Sequence, residues 1–163
     1  MKNATTKVTP QGDSEVLIER TFNASRVLVF DAMTKPELLR RWYGPDGWEM
    51  IVCDIDLQVG GKWRFVTKRP DGKEIGQLGV YREIERPARL VNTEAWEDWD
   101  AGETLVSATF EEADGKTNFK TIILFPSREV RDAVLKSGLD HGVDASYNKL
   151  ERMLTEMTVQ NKT

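Results

Sequence analysis

Residues 126–158, PSREVRDAVLKSGLDHGVDASYNKLERMLTEMT, decide how the whole chain is read. Leu135, Leu139, Val143, Leu150, Leu154 and Met157 recur three, four or seven residues apart, which is the repeat of one helix face. Pro126 stops what precedes, Ser127 suits an N-cap, and Glu129 and Asp132 fall in the first turn, where the helix dipole favours acids. The pattern predicts one sustained amphipathic helix from Arg128 to about Thr158, about 45 Å long at 1.5 Å per residue. Such a helix crosses an entire sheet.

The sequence before it supplies that sheet. Ile51, Cys53, Ile55 and Leu57 alternate with polar residues, and Trp63 and Phe65 alternate with Lys62 and Arg64. This two-residue repeat turns one side of a strand toward a core. Turn signals at Gly60-Gly61, Pro70-Asp71-Gly72, Glu85-Arg86-Pro87 and Asp114-Gly115 separate successive strands over 51–125, and short turns of this kind join antiparallel neighbours. The acidic stretch from Glu97 to Glu103 reads as a loop. Further upstream, EVLIERTF over 15–22 suits a first strand. Two short helices follow, one capped by Ser25, the other opened by Thr34 with Glu37 three residues on and Pro36 in the first turn. Residues 1–13 read as a flexible N-terminal tail, 14–158 as one domain and 159–163 as a C-terminal tail.

With 163 residues, 39% hydrophobic and 31% charged, one core-forming domain is expected. No run of apolar residues approaches the ~20 that a membrane helix needs, and the first residues do not read as a secretory signal. The net charge of −4 argues against nucleic acid as a partner. A lone cysteine, Cys53, points to a reducing cytoplasm. With one histidine, His141, and one cysteine, the usual zinc ligand sets are excluded. No phosphate-binding glycine loop and no G-x-S-x-G elbow occur. No metal or organic cofactor is called for. The fold class is therefore α+β, a large curved antiparallel sheet with one long helix on its face. A single helix fills only part of such a concavity.

Several motifs resemble the family of activators of the heat-shock-protein-90 ATPase. They are RTFNASRVLVFDAMTKPELLRRWYGPDGW over 20–48, GGKWRF over 60–65, PDGK over 70–73, GVYREIERPARLVNTE over 79–94, and SGLDHGVDASYNKLERML over 137–154. The resemblance places the chain in the START-related, Bet-v-1-like helix-grip superfamily. It implies about seven curved strands gripping a C-terminal helix, with a cavity between. Superfamily members bind lipids, hormones or polyketides, or act as cyclases, and one family member is a co-chaperone. The expected readings are a non-catalytic binder of a small apolar ligand, a stress-related chaperone partner, and an enzyme moving protons with Glu83, Glu94, Tyr81 or His141. A monomer or weak homodimer is expected.

The expected ligand walls are Trp42, Trp48, Trp63, Phe65, Tyr81, Trp96, Phe110, Phe119 and Thr121, because small-molecule sites join aromatic walls to a few polar groups. Gly138 and Gly142, four apart on the presumed helix, would open space at its middle. The same residues also suit plain core packing. Cys53 reads as a buried, inert thiol, and the Trp96–Asp100 stretch as a solvated hairpin able to meet a basic partner.

Overall fold

The computed structural model describes residues 5–161. The first four residues of the expected N-terminal tail and the last two of the C-terminal one lie outside that span. Among the described residues, eight strands are formed: β1 (Lys7–Gln11), β2 (Glu15–Phe22), β3 (Glu49–Ile55), β4 (Lys62–Lys68), β5 (Glu74–Glu85), β6 (Arg89–Trp96), β7 (Trp99–Ala113) and β8 (Lys116–Leu124). They make one sheet in the order β1-β2-β8-β7-β6-β5-β4-β3, with every neighbour antiparallel. Helices α1 (Arg26–Ala32) and α2 (Pro36–Trp42) follow β2, and α3 (Arg128–Lys136) and α4 (Leu139–Asn161) close the chain.

The meander from β3 to β8 follows from its turns. Asp114 and Gly115 both have positive φ, 54° and 75°, the conformation a two-residue hairpin needs for its twist to match the strands. Ser25 caps α1 by accepting from the Leu28 N–H, and Ser127 caps α3 by accepting from the Val130 N–H. Both caps agree with the sequence reading.

Five local expectations are corrected. Residues 7–11 are not tail but β1, paired through Val8↔Ile18, which raises the strand count from about seven to eight. Pro10 is tolerated there because β1 is an edge strand. The acidic loop shrinks to the turn Glu97-Asp98, since Trp96 pairs with Trp99 and β7 begins at once. Thr34 does not cap α2. Its hydroxyl donates to the Phe30 carbonyl of the preceding helix, and Lys35 takes the cap position without a side-chain bond. A bulge between Met50 and Val52 resets β3, so Met50 and Cys53 are buried while Leu57, past the strand end, is exposed. The single long helix is two helices. Gly138 has φ +95°, which an L side chain resists, and Ser137 closes α3 with its hydroxyl on the Val134 carbonyl. The Gly138 carbonyl then accepts the Gly142 N–H to start α4, which runs on through 159–161, part of the expected C-terminal tail.

Two apolar clusters lie between the concave sheet face and the helices. The larger joins Phe22, Val29, Phe30, Trp42, Trp63, Phe65, Phe110, Phe119, Leu150 and Leu154 beneath α1, α2 and the second half of α4. The smaller joins Val16, Ile18, Phe125 and Val134 with the half-buried Trp96, Ile123, Leu139 and Val143. Tyr147 packs against both. Burying each large side chain in the first cluster contributes roughly 1.5–3 kcal/mol.

Candidate functional site

Strand register determines which side chains look toward α4. Gln77 of β5 lies opposite Trp96 of β6, Tyr81 opposite Asn92, Glu94 opposite Thr104 of β7, and Asn92 opposite Val106. Alternation along β6 and β7 then puts Asn92, Glu94, Trp96, Thr104 and Val106 on the concave face. At the centre of a sheet, beneath a helix, such residues are normally sealed. Here Asn92, Glu94, Trp96 and Val106 all keep part of their surface, as do Gln77, Tyr43 and, on α4, Val143 and Tyr147. Around them Ala108, Phe110, Phe119 and Thr121 are closed off. The incompletely covered positions of β5, β6 and β7 are neighbours in the ladder, and Trp96 shares the smaller cluster with Val143 and Tyr147 of α4.

Glu94 is the ionisable member of this group. Loss of water around it pushes its carboxyl pKa up to about 7, and a hydrogen bond from Gln77 opposes that shift. Gln77 also accepts the Tyr43 hydroxyl at 2.9 Å. Burial, reinforced by the Glu94 charge, holds the Tyr43 phenol well above its ordinary range. Burial raises the Tyr147 phenol too, with Arg20 opposing and Glu94 reinforcing. A carboxyl that titrates near neutrality, between two protonated phenols and an amide, can accept or donate a hydrogen bond or a proton.

Between Gln77 and Tyr81 the concave face of β5 lacks a side chain. Gly79 stands where an inward residue of β5 is due, and a Cβ there would overlap the Thr93 carbonyl and crowd the Trp63 indole nitrogen. Trp63 lies across this gap and donates its Nε1–H to the Thr93 carbonyl at 3.2 Å. Trp63 and Phe65 have ring centroids 4.7 Å apart, and Tyr43 meets Phe65 edge-on at 5.3 Å. The hydroxyls of Thr104 and Thr121 are buried without a partner among the described residues.

The expected wall residues divide. Trp63, Phe65, Tyr81, Phe110, Phe119 and Thr121 are buried on the sheet side, and Trp42 faces them from α2 with its indole N–H on the Ala32 carbonyl. Trp96 is half-buried beside Trp99, 5.5 Å between ring centroids. Trp48 is half-buried in the 43–48 loop. That loop reaches α4 through Pro45, 3.9 Å from where a Gly142 side chain would begin, and through the Lys149 ammonium, which donates to the Gly44 carbonyl at 3.2 Å. Gly138 and Gly142 do not share a helix face, because Gly138 ends one helix before the next begins.

The two glutamates named from the sequence part company. Glu83 is exposed and pairs with Arg89 at 3.3 Å, while Glu94 is inside. His141 is exposed in the first turn of α4. In the acidic turn, Glu97 is held in a two-pronged hydrogen bond by Arg64. Cys53 is buried, and desolvation raises its thiol pKa to about 11. The sequence reading missed Tyr43, Gln77, Asn92, Thr104, Val106 and Tyr147. Tyr147 was open to discovery, lying four residues after Val143 and three before Leu150 on the apolar face of the helix. Gln77 was legible only through its pairing with Phe65.

Arg20 of β2 fixes how α4 sits over the sheet. Its side chain is 1% exposed and lies 3.6 Å from Asp144 and 3.9 Å from Glu151. It also donates to Asn148 Oδ1 and Thr6 Oγ1, each at 2.9 Å. Burial lowers its pKa, and Glu151 and Asp144 oppose that shift. Two surface clefts lie elsewhere. One of about 190 Å³ is bordered by Arg41, Lys149 and Arg152, the other, of about 260 Å³, by Lys7, Glu19 and Lys120.

Comparison with known proteins gives consistent results. Residues 23–155 match the family model described as activator of Hsp90 ATPase homolog 1-like protein. A crystal structure of a protein from Rhodobacter sphaeroides is 30% identical, with a TM-score of 0.88 over 93% of this chain and 99% of the other. A Mycobacterium smegmatis protein, 23% identical, has a TM-score of 0.84 over 93% and 97%. An AHSA1 protein from Silicibacter pomeroyi, 21% identical, has 0.72 over 88% and 99%. The last two show likeness of fold alone. No curated protein matches the sequence.

Proposed function

The chain belongs to the activator of Hsp90 ATPase homolog 1-like family, and from that premise we propose that it holds a small, mainly apolar ligand between the concave sheet and α4. One observation carries the reading. Asn92, Glu94 and Val106 stand at mid-sheet beneath a helix and yet are incompletely covered. The rings of Trp63, Phe65, Trp96 and Tyr147 border them, and Gln77, Asn92 and Glu94 supply the few polar contacts such sites use for orientation. Binding energy comes from apolar burial at roughly 25 cal/mol per Å². The alternative, a chaperone partner docking on the acidic turn, is less favoured because Arg64 already engages Glu97 there.

The test is fluorescence titration with the neutral probe N-phenyl-1-naphthylamine. Wild-type protein is expected to bind it saturably, and Val106→Trp, which fills the mid-sheet space, is expected to lose it while keeping its circular dichroism. A folded Val106→Trp variant with unchanged probe affinity overturns the reading. Native mass spectrometry of protein purified without denaturation then identifies the natural occupant.

A further inference from the structure

Among the described residues, Glu94 is a carboxyl without a countercharge. Only desolvation and the Gln77 amide act on it appreciably. Beside it in the sheet stand Gln77 of β5 and Thr104 and Val106 of β7, with Trp63 and Phe65 of β4 one strand beyond, and its charge reaches Tyr43 at the end of α2 and Tyr147 of α4. Of these only the two tyrosines titrate, and both are held protonated. Arg20, the buried cation that acts on Tyr147, is committed to Asp144, Glu151, Asn148 and Thr6. Buried charges in proteins are ordinarily paired or hydrogen-bonded, because an ion taken out of water is costly. Glu94 meets that rule only through one amide. The hydroxyl of Thr104, directly opposite Glu94 in the β6–β7 ladder, is itself buried without a partner among the described residues.

We propose that the space before Glu94 takes an organic cation, a protonated amine on an apolar body, with the ammonium against the Glu94 carboxylate and the body against Trp63, Phe65, Trp96 and Val106. This rests on the ligand-binding reading above and adds the chemical class to it. A primary ammonium brings three donors and no acceptor, which matches a carboxylate and the free lone pairs of the Thr104 hydroxyl. The surrounding ring faces attract a desolvated cation in their own right. A carboxylate ligand meets like charge once Glu94 ionises, and an alcohol leaves that charge unpaired. An aliphatic amine stays protonated between pH 6 and 8, so affinity follows the ionised fraction of Glu94.

Three probes of matched shape separate the possibilities: 4-phenylbutylamine, 4-phenylbutan-1-ol and 4-phenylbutanoate, each competed against N-phenyl-1-naphthylamine on the full chain. At pH 8 the amine is expected to displace the probe at a concentration at least tenfold below that of the alcohol. Its apparent affinity is expected to tighten about tenfold from pH 6 to pH 8. Glu94→Gln, titrated directly with the amine and the alcohol by calorimetry, is expected to lose both the preference and the pH dependence. If the naphthylamine binds but the amine competes no better than the alcohol, or Glu94→Gln keeps the preference, the cation assignment fails and the ligand site stands. If the naphthylamine does not bind the wild-type protein, the site itself fails and the assignment with it.

Discussion

The Trp63 indole donates to the Thr93 carbonyl at 3.2 Å, across a strand position that carries no side chain. The two residues are two strands apart, on β4 and β6, and the indole reaches over Gly79 of β5 to make the bond. The same carbonyl accepts the Asn92 side-chain amide at 3.0 Å, and the Val80 N–H turns instead to the Thr93 hydroxyl at 2.9 Å. The ladder is thus locally rewired around one glycine. Gly79→Ala places a methyl group into both the carbonyl and the indole, and is expected to cost about 3 kcal/mol, at the upper end of overpacking. Trp63→Phe removes one hydrogen bond to an acceptor that keeps another, and is expected to cost less. Urea denaturation of the three proteins orders them.

Glu94 gives a pH dependence of defined sign. Its native pKa of about 7 lies above the ordinary value of 4.5, so ionising it in the folded state is penalised. The penalty is absent below pH 4.5, grows as the pH rises to about 7, and is constant above. Glu94→Gln is therefore expected to be more stable than wild type at pH 8 by about 3 kcal/mol, at 1.36 kcal/mol per pKa unit. The two proteins should converge near pH 4.5. Denaturation midpoints at pH 5 and pH 8 check this, and equal midpoints at both contradict it.

Gly138 and Gly142 should respond oppositely to alanine. Gly138 has φ +95°, where a Cβ is strained although nothing lies within 4 Å, and Gly138→Ala is expected to lose about 1–2 kcal/mol. Gly142 is inside α4 with only Pro45 nearby, at 3.9 Å. Gly142→Ala is expected to gain about 1 kcal/mol from helix propensity. Thermal midpoints shifting in opposite directions confirm the helix break.

Arg20 ties α4 to β2, and removing it tests that link. Arg20→Ala leaves a void and strands the Asn148 carbonyl, at an expected cost of about 3 kcal/mol. Arg20→Met refills the space, and its cost should be smaller because Asp144 and Glu151 retain access to water. Hydrogen exchange along 144–151 is expected to rise in both variants. Unchanged exchange there is the contrary result.

Cys53 is expected to stay silent toward a disulfide reagent at pH 8 in the native protein and to react fully in guanidinium. Burial suppresses the thiolate, which is the reactive form. Prompt native labelling shows the β3 edge opening.

The alternation in 51–65, the hairpin turns and the apolar repeat after Ser127 each report on neighbours within a few residues. That is why a curved antiparallel sheet closed by a C-terminal helix is legible in the sequence alone. Burial of Trp63 and Phe65 followed from the same alternation. The helix break was less legible, because a glycine in an apolar repeat reads equally as an interior residue, and only its positive φ shows which it is. Pairing across the sheet decided the rest. Glu83 and Glu94 look alike in the linear chain, but a register shift between Tyr81 and Glu83 sends the first toward Arg89 and solvent. Glu94 faces Gln77, Tyr43 and Tyr147, contributed by three segments up to 104 residues apart in the numbering of the chain. Local patterns fix the solvent preference of a strand, whereas the partner of a buried carboxyl depends on which distant segments converge on it.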